Sequence, residues 1–166
     1  YEGIDLAVAH LAELGLTRIA FLNGSPYSLV SDQREQAFLR SMESHHLTPD
    51  RNLMGQGYYV PESAKYHVSH FLENGATAIL CGSDLIASGV IAECQAHGFS
   101  VPEDISVIGV DNSIYAKISY PQLTSLDNNA ESQSKLAVDL LIKALNNEPH
   151  ERSVLLKTHI VERETT

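Results

Sequence analysis

The sequence predicts an α/β protein, a doubly wound, mainly parallel sheet with helices on both faces. Two observations carry this. Four short runs, RIAFL (18–22), TAILC (77–81), ISVIGV (105–110) and LTSL (123–126), are apolar or nearly so along their length instead of alternating. Strands read that way when both of their faces are buried, as in a parallel sheet covered by helices. Between the runs lie segments with helical periodicity, so strand and helix take turns along the chain.

Ile4, Ala7, Val8, Leu11 and Leu14 share one face of a first helix, which Gly15 stops. RIAFL ends at Asn23-Gly24, and GSPYSLVS (24–31) is turn-rich. A helix over 31–46 carries Ala37, Phe38, Leu39 and Met42, and Pro49 forbids its continuation. MGQGYYV (54–60) predicts a second, poorer strand. Pro61-Glu62 opens a helix that ends near Asn74-Gly75, because proline fits a first helical turn. After TAILC comes a helix over 84–97, closed by Gly98. A long helix covers 130–146, and SVLLKTHIVE (153–162) predicts a last strand. There is no repeat, low-complexity segment or long linker.

The 166 residues suffice for one domain with a real core. Apolar residues make up 43% and no apolar run approaches membrane-spanning length, which excludes a transmembrane segment. The first residues carry no leader pattern, and a start at Tyr1 suits a piece of a longer protein. Eleven basic residues against 21 acidic ones give a net charge of −10. The cations are scattered, so the chain is a poor binder of phosphate backbones. Cys81 and Cys94 fall in a strand and a helix, which suits two free thiols in a reducing compartment.

Sheets of this kind bind ligands outside the carboxyl ends of their strands. ISVIGV runs into Asp111-Asn112 at such an end. Asp111 is therefore either a ligand contact or the cap of a turn or short helix over 113–118. Gly109, two residues earlier, permits close approach by another backbone or side chain.

Other chemistries are weaker. Gly55-Gln56-Gly57 lies inside a strand and lacks the third glycine of a dinucleotide fingerprint. No P-loop is present. Gly82-Ser83-Asp84 occupies a strand-to-helix turn, but it is no nucleophile elbow, and His159 lies within a strand where a triad needs a loop. A helix cap accounts for Ser83 or Asp84. His67 and His70 have zinc-like spacing without a third ligand. A phosphorylatable receiver site is excluded because Asn23-Gly24 and Cys81-Gly82-Ser83 stand where its carboxylates belong. The remaining polar set at strand ends is Tyr27, Ser28, Arg34, Tyr59, Ser83, Asp84, Asp111 and Asn128. Planar charged groups suit vicinal hydroxyls and tyrosine rings suit sugar C–H faces, so the set fits a neutral polyhydroxylated ligand. No nucleophile, metal or cofactor accompanies it; the set binds and does not react.

The ordered series GLTRIAFLNG, SDQREQAFLRSM, TAILCGSDLIASGVIAECQAHGFSVPEDISVIGVDN and YPQLTSLDNN resembles the effector-binding core of the lactose-repressor (LacI) family of transcription regulators. The likeness covers nearly the whole chain and is most specific over 77–126. It implies a periplasmic-binding-protein-like (type I) core of two lobes with the effector between them. Residues 1–126 would be the C-terminal lobe, 127–150 a hinge and a helix of the N-terminal lobe, and 151–166 a returning strand and tail. The DNA-binding helix-turn-helix domain of such a regulator is outside this chain.

The resemblance further implies that Arg34 is the effector-binding arginine, with Ala37 where glycine is common. Asp111 matches the aspartate that follows the fourth strand, with Val110 replacing an aromatic residue. Ser83 replaces an asparagine that many members carry before the equivalent of Asp84, and so removes an amide contact. Tyr59 falls near a ligand-stacking aromatic residue and Asn128 near a late hinge amide. The function implied is a cytoplasmic, homodimeric, non-enzymatic sensor of a small sugar-like effector. It would touch DNA only through the other domain and would not touch membrane. The alternative of the same fold is a periplasmic or extracellular sugar-binding protein serving transport.

Overall fold

The computed structural model describes residues 2–166. Six strands form one sheet: β1 (Ile19–Asn23), β2 (Met54–Gln56), β3 (Ala78–Cys81), β4 (Ser106–Val110), β5 (Thr124–Asp127) and β6 (His159–Val161). Their order is β2-β1-β3-β4-β5-β6, parallel throughout except for β6, which runs antiparallel to β5. The order reverses between β1 and β3, which makes the crevice at their carboxyl ends the switch point of the sheet.

The helices are α1 (Glu2–Glu13), α2 (Leu29–Ser44), α3 (Val68–Glu73), α4 (Asp84–Ala96), α5 (Ile114–Ile118) and α6 (Ala130–Leu145), with 3-10 turns at Arg51–Leu53 and Pro61–Tyr66. Alternate strand residues feed two cores. Phe21, Leu80, Ile108 and Val110 pack with α1 and α2 on one face, where Phe21 stacks on Phe38 at 4.8 Å. Leu22, Ile79, Cys81 and Val107 pack with α3 and α4 on the other. This double burial is why the runs are apolar at every position.

Several boundaries differ from the sequence reading. α2 starts at Leu29 and not at 31. β2 stops at Gln56, because Tyr59 takes a left-handed backbone (φ 57°) that no strand continues. The helix expected from Pro61 is a 3-10 turn and a separate α3, broken at His67 (φ −123°, ψ −35°). Leu14 lies beyond α1 and is exposed. The last strand is three residues long instead of ten, since the chain before His159 has no ladder. β6 pairs with β5, and the tail after it keys into the sheet by other means. Val107 donates to the carbonyl of Thr165 at 2.9 Å, and Thr165 Oγ1 donates to the Val107 carbonyl at 2.6 Å.

Gly109 meets the expectation of close approach. A Cβ there would stand 2.3 Å from Asp84 Oδ1 and 2.8 Å from Leu123 Cδ2. Gly109→Ala must displace a buried carboxylate or the core leucine. We expect a loss of about 2–3 kcal/mol in unfolding free energy, in the upper range for overpacking. Denaturant titration checks it, and unchanged stability would contradict the packing described.

Candidate functional site

The carboxyl ends of β1, β3, β4 and β5 bring together residues that are far apart in sequence. From α2, Arg34 Nη1 donates to the carbonyl of Gly82, just past β3, at 2.7 Å. Past β4, Asp111 and Asn112 both have positive φ (107° and 47°), so the chain turns abruptly there. Past β5, Asn128 Nδ2 donates to Asp111 Oδ1 at 3.1 Å. A guanidinium, a carboxylate and an amide thus share one end of the sheet, beside its switch point.

Desolvation pushes the Asp111 carboxyl above its ordinary value of 3.8. The positive charge of Arg34 opposes that shift, the Asp84 carboxylate adds to it, and the Asn128 amide opposes it. The raised value means that the fold favours protonated Asp111. Its ionisation therefore costs stability at neutral pH, and the cost disappears as pH falls below the ordinary carboxylate range.

Beneath this surface, Asp84 is buried and its oxygens are occupied. Oδ2 accepts from the Ser113 backbone N–H at 2.6 Å and from its hydroxyl at 2.8 Å. Oδ1 accepts from Ser125 Oγ at 2.5 Å. Asp84 thus holds the turn after β4 against the end of β5. Ser83 caps α4 by accepting from Ile86 N–H at 3.2 Å, the cap role that its turn position allowed. Asp111 caps nothing: α5 begins after Ser113, which makes no side-chain cap bond.

Tyr59 is half-buried, with its ring over Gly24, where a Cβ would stand 1.9 Å from Cζ. Its hydroxyl lies 3.0 Å from Ser31 Oγ at the start of α2. Ser28 stands at the α2 N-cap without a side-chain cap bond. Tyr27 projects into solvent, 88% exposed. Among the proposed residues, then, Arg34, Asp111 and Asn128 converge, Ser83 and Asp84 lie behind them, Tyr59 flanks them, and Ser28 and Tyr27 sit on the loop leading into α2. His67 and His70 point to separate roles: His67 Nε2 lies 3.0 Å from the Gln56 carbonyl, and His70 lies beside Asn74.

The sequence marks Asn112 at this end, beside Asp111, but it does not reveal three further residues there: Asn23, Asp127 and Arg163. Asn23, buried, donates to the Ser31 carbonyl at 2.8 Å and accepts from Gly24 N–H at 2.8 Å. Asn112 donates to Asp127 at 2.9 Å and accepts from Arg163 Nη2. The Arg163–Asn112 bond spans 51 residues, a separation that no motif spacing reveals. It joins the turn beside Asp111 to the tail that follows β6.

Comparison with known proteins agrees with this architecture. Residues 8–166 match the family model for a periplasmic binding protein-like domain. The chain is 31% identical to the HTH-type transcriptional repressor PurR of Vibrio atlanticus (strain LGP32) over 167 residues, covering 99% of this chain and 50% of that protein. The Escherichia coli transcriptional repressor ascG superposes with a TM-score of 0.93 at 26% identity, covering 99% of this chain and 60% of that one. A transcriptional regulator CelR–cellobiose complex superposes with a TM-score of 0.88 at 26% identity, over 99% of this chain and 51% of that one.

The chain belongs to the periplasmic binding protein-like domain family. Within that class it is an effector-binding core of the LacI type, the family to which its fold neighbours belong. The chain spans about half the length of the curated relatives it matches.

Proposed function

We propose that this chain is the ligand-sensing core of a cytoplasmic transcription regulator, and that its effector is a small hydroxyl-rich molecule, a sugar or sugar derivative. The observation that carries the reading is the convergence of Arg34, Asp111 and Asn128 at the carboxyl ends of β3, β4 and β5. A carboxylate and a guanidinium there offer acceptors and donors to vicinal hydroxyls. The CelR relative is a complex with cellobiose, which supports the sugar class. The role is binding and not catalysis. Residues 1–126 form the C-terminal lobe, and α6 belongs with a second lobe that closes over the site.

Thermal-shift screening of the intact protein against sugars and purines tests this directly. Stabilisation by a sugar is the expected result, and by a purine alone is the result that overturns the effector class. Sugar binding by a protein that carries a secretory leader and no helix-turn-helix would support the transport role instead.

Effector affinity should also fall with acidity. Asp111 accepts from hydroxyls best when ionised, and its value is raised. Affinity is expected to decline at a pH above that at which an ordinary aspartate would protonate. Asp111→Asn should bind weakly and lose that dependence in calorimetry. A variant that keeps the same pH profile would exclude Asp111 as its source.

DNA is proposed as a partner only through another domain. With a net charge of −10, this chain should give no operator-specific mobility shift at low salt. A specific complex surviving competitor DNA would reverse the assignment. The second proposed partner is another copy of the chain. Ile114 and Ile118 of α5 are 60% and 67% exposed and offer it an apolar surface.

A further inference from the structure

A wide hollow lies at the pole opposite the candidate effector site. It is an open groove of about 730 Å³, bounded by the end of α4, the loop into β4, the loop before β5 and the C-terminal tail. Phe99, Pro102, Tyr120 and Pro121 form apolar walls. Tyr120 is 88% exposed, although aromatic rings are normally kept from water.

Charge on this groove has one sign. Glu103 and Glu164 line it, and no lysine or arginine does. Among the described residues, Glu103 has no side-chain hydrogen-bond or ion-pair partner. One oxygen of Glu164 accepts from the Gln122 N–H at 2.7 Å, and the second is free to accept. The adjoining α4 has no basic residue in its last turn, so the negative end of its dipole adds to the two carboxylates. Tyrosine and phenylalanine faces also attract a cation through their ring quadrupoles.

We propose that this groove docks an arginine-bearing, extended peptide segment of a partner protein. A guanidinium fits the chemistry better than an ammonium, because it pairs with carboxylates through parallel donors and stacks flat on a tyrosine ring. The open shape suits a segment laid across the surface, with its aliphatic stem on Pro102 and Pro121. The site is independent of the effector end, which lies across the sheet and is built by other residues.

The test uses the intact protein and fluorescence anisotropy with a labelled, terminally blocked peptide, Gly-Ala-Arg-Ala-Gly. Its citrulline counterpart has the same shape and no charge. The arginine peptide should bind at least tenfold more tightly than the citrulline peptide. Glu103→Gln with Glu164→Gln should remove that preference, and Tyr120→Ala should weaken binding several-fold. All three residues are exposed, so the fold should persist. An unchanged melting temperature and unchanged effector binding serve as the check. Equal binding of both peptides, or full binding by the double variant, overturns the proposal. Binding that is lost in Arg34→Ala and kept in the double variant overturns the location. Arginine amide alone binding as tightly as the peptide would make this a small-cation site and overturn the docking role.

Discussion

Asp111→Ala and Arg34→Ala are each expected to weaken effector binding by about 2–5 kcal/mol, roughly thirtyfold to several thousandfold. The size follows from the two groups' position. Each is a charged hydrogen-bonding group at the sheet's switch point, where a second lobe would exclude water. Removing one leaves its partner on the ligand desolvated and unpaired, which costs more than the bond contributed. The two variants should still differ. Asp111 bonds Asn128 at the surface, so its loss should leave the fold nearly untouched. Arg34 also ties α2 to the Gly82 carbonyl, so part of its effect should appear as lower thermal stability. Calorimetry on the intact protein, with the effector found by screening, separates the two. Wild-type affinity in both variants would remove these residues from the site.

Much of this end was legible because the physics that builds it acts locally. A strand buried on both faces must be apolar throughout, so VIGV could not be mistaken for an amphipathic strand, and its first polar residue, Asp111, marked the end. Gly109 announced a close approach, because only a missing side chain makes room, but not that the approaching group is Asp84. The edges were less legible. β2 and β6 each pair on one side, so their length depends on a ladder that neighbouring sequence does not encode. Residues 154–156, Val-Leu-Leu, read as strand by composition, but no strand pairs with them and Leu155 is 87% exposed. Of the supporting network only Asn112 was legible, by its place after β4; its partners were not. Asn112, Asp127 and Arg163 meet only after the chain has passed through α6 and returned. Tyr59's left-handed backbone, which lays its ring on Gly24, follows from that packing and not from local propensity.

The 166-residue chain on its own is expected to self-associate at micromolar concentration, through α6. No residue of that helix is buried. Val138, Leu141, Ile142 and Leu145 are 56%, 59%, 52% and 73% exposed, and Leu136 and Leu140 line a hollow of about 360 Å³ with Leu155 and its neighbours. Each leucine left in water forgoes roughly 1.5–3 kcal/mol of burial. Isolated helices of this length are marginal without an apolar partner surface, so a lone, solvated α6 would also fray. Two copies that bury the stripe against each other remove both costs at once. Sedimentation should therefore report a dimer or larger species, and Leu141→Asp with Leu145→Asp should return it to monomer. Ile118→Asp is the discriminating control, because α5 offers the other apolar surface. If Ile118→Asp alone yields monomer, the association runs through α5 and the α6 stripe is spared for the second lobe. A wild-type chain that sediments as a monomer with α6 fully helical would show that the stripe needs no cover.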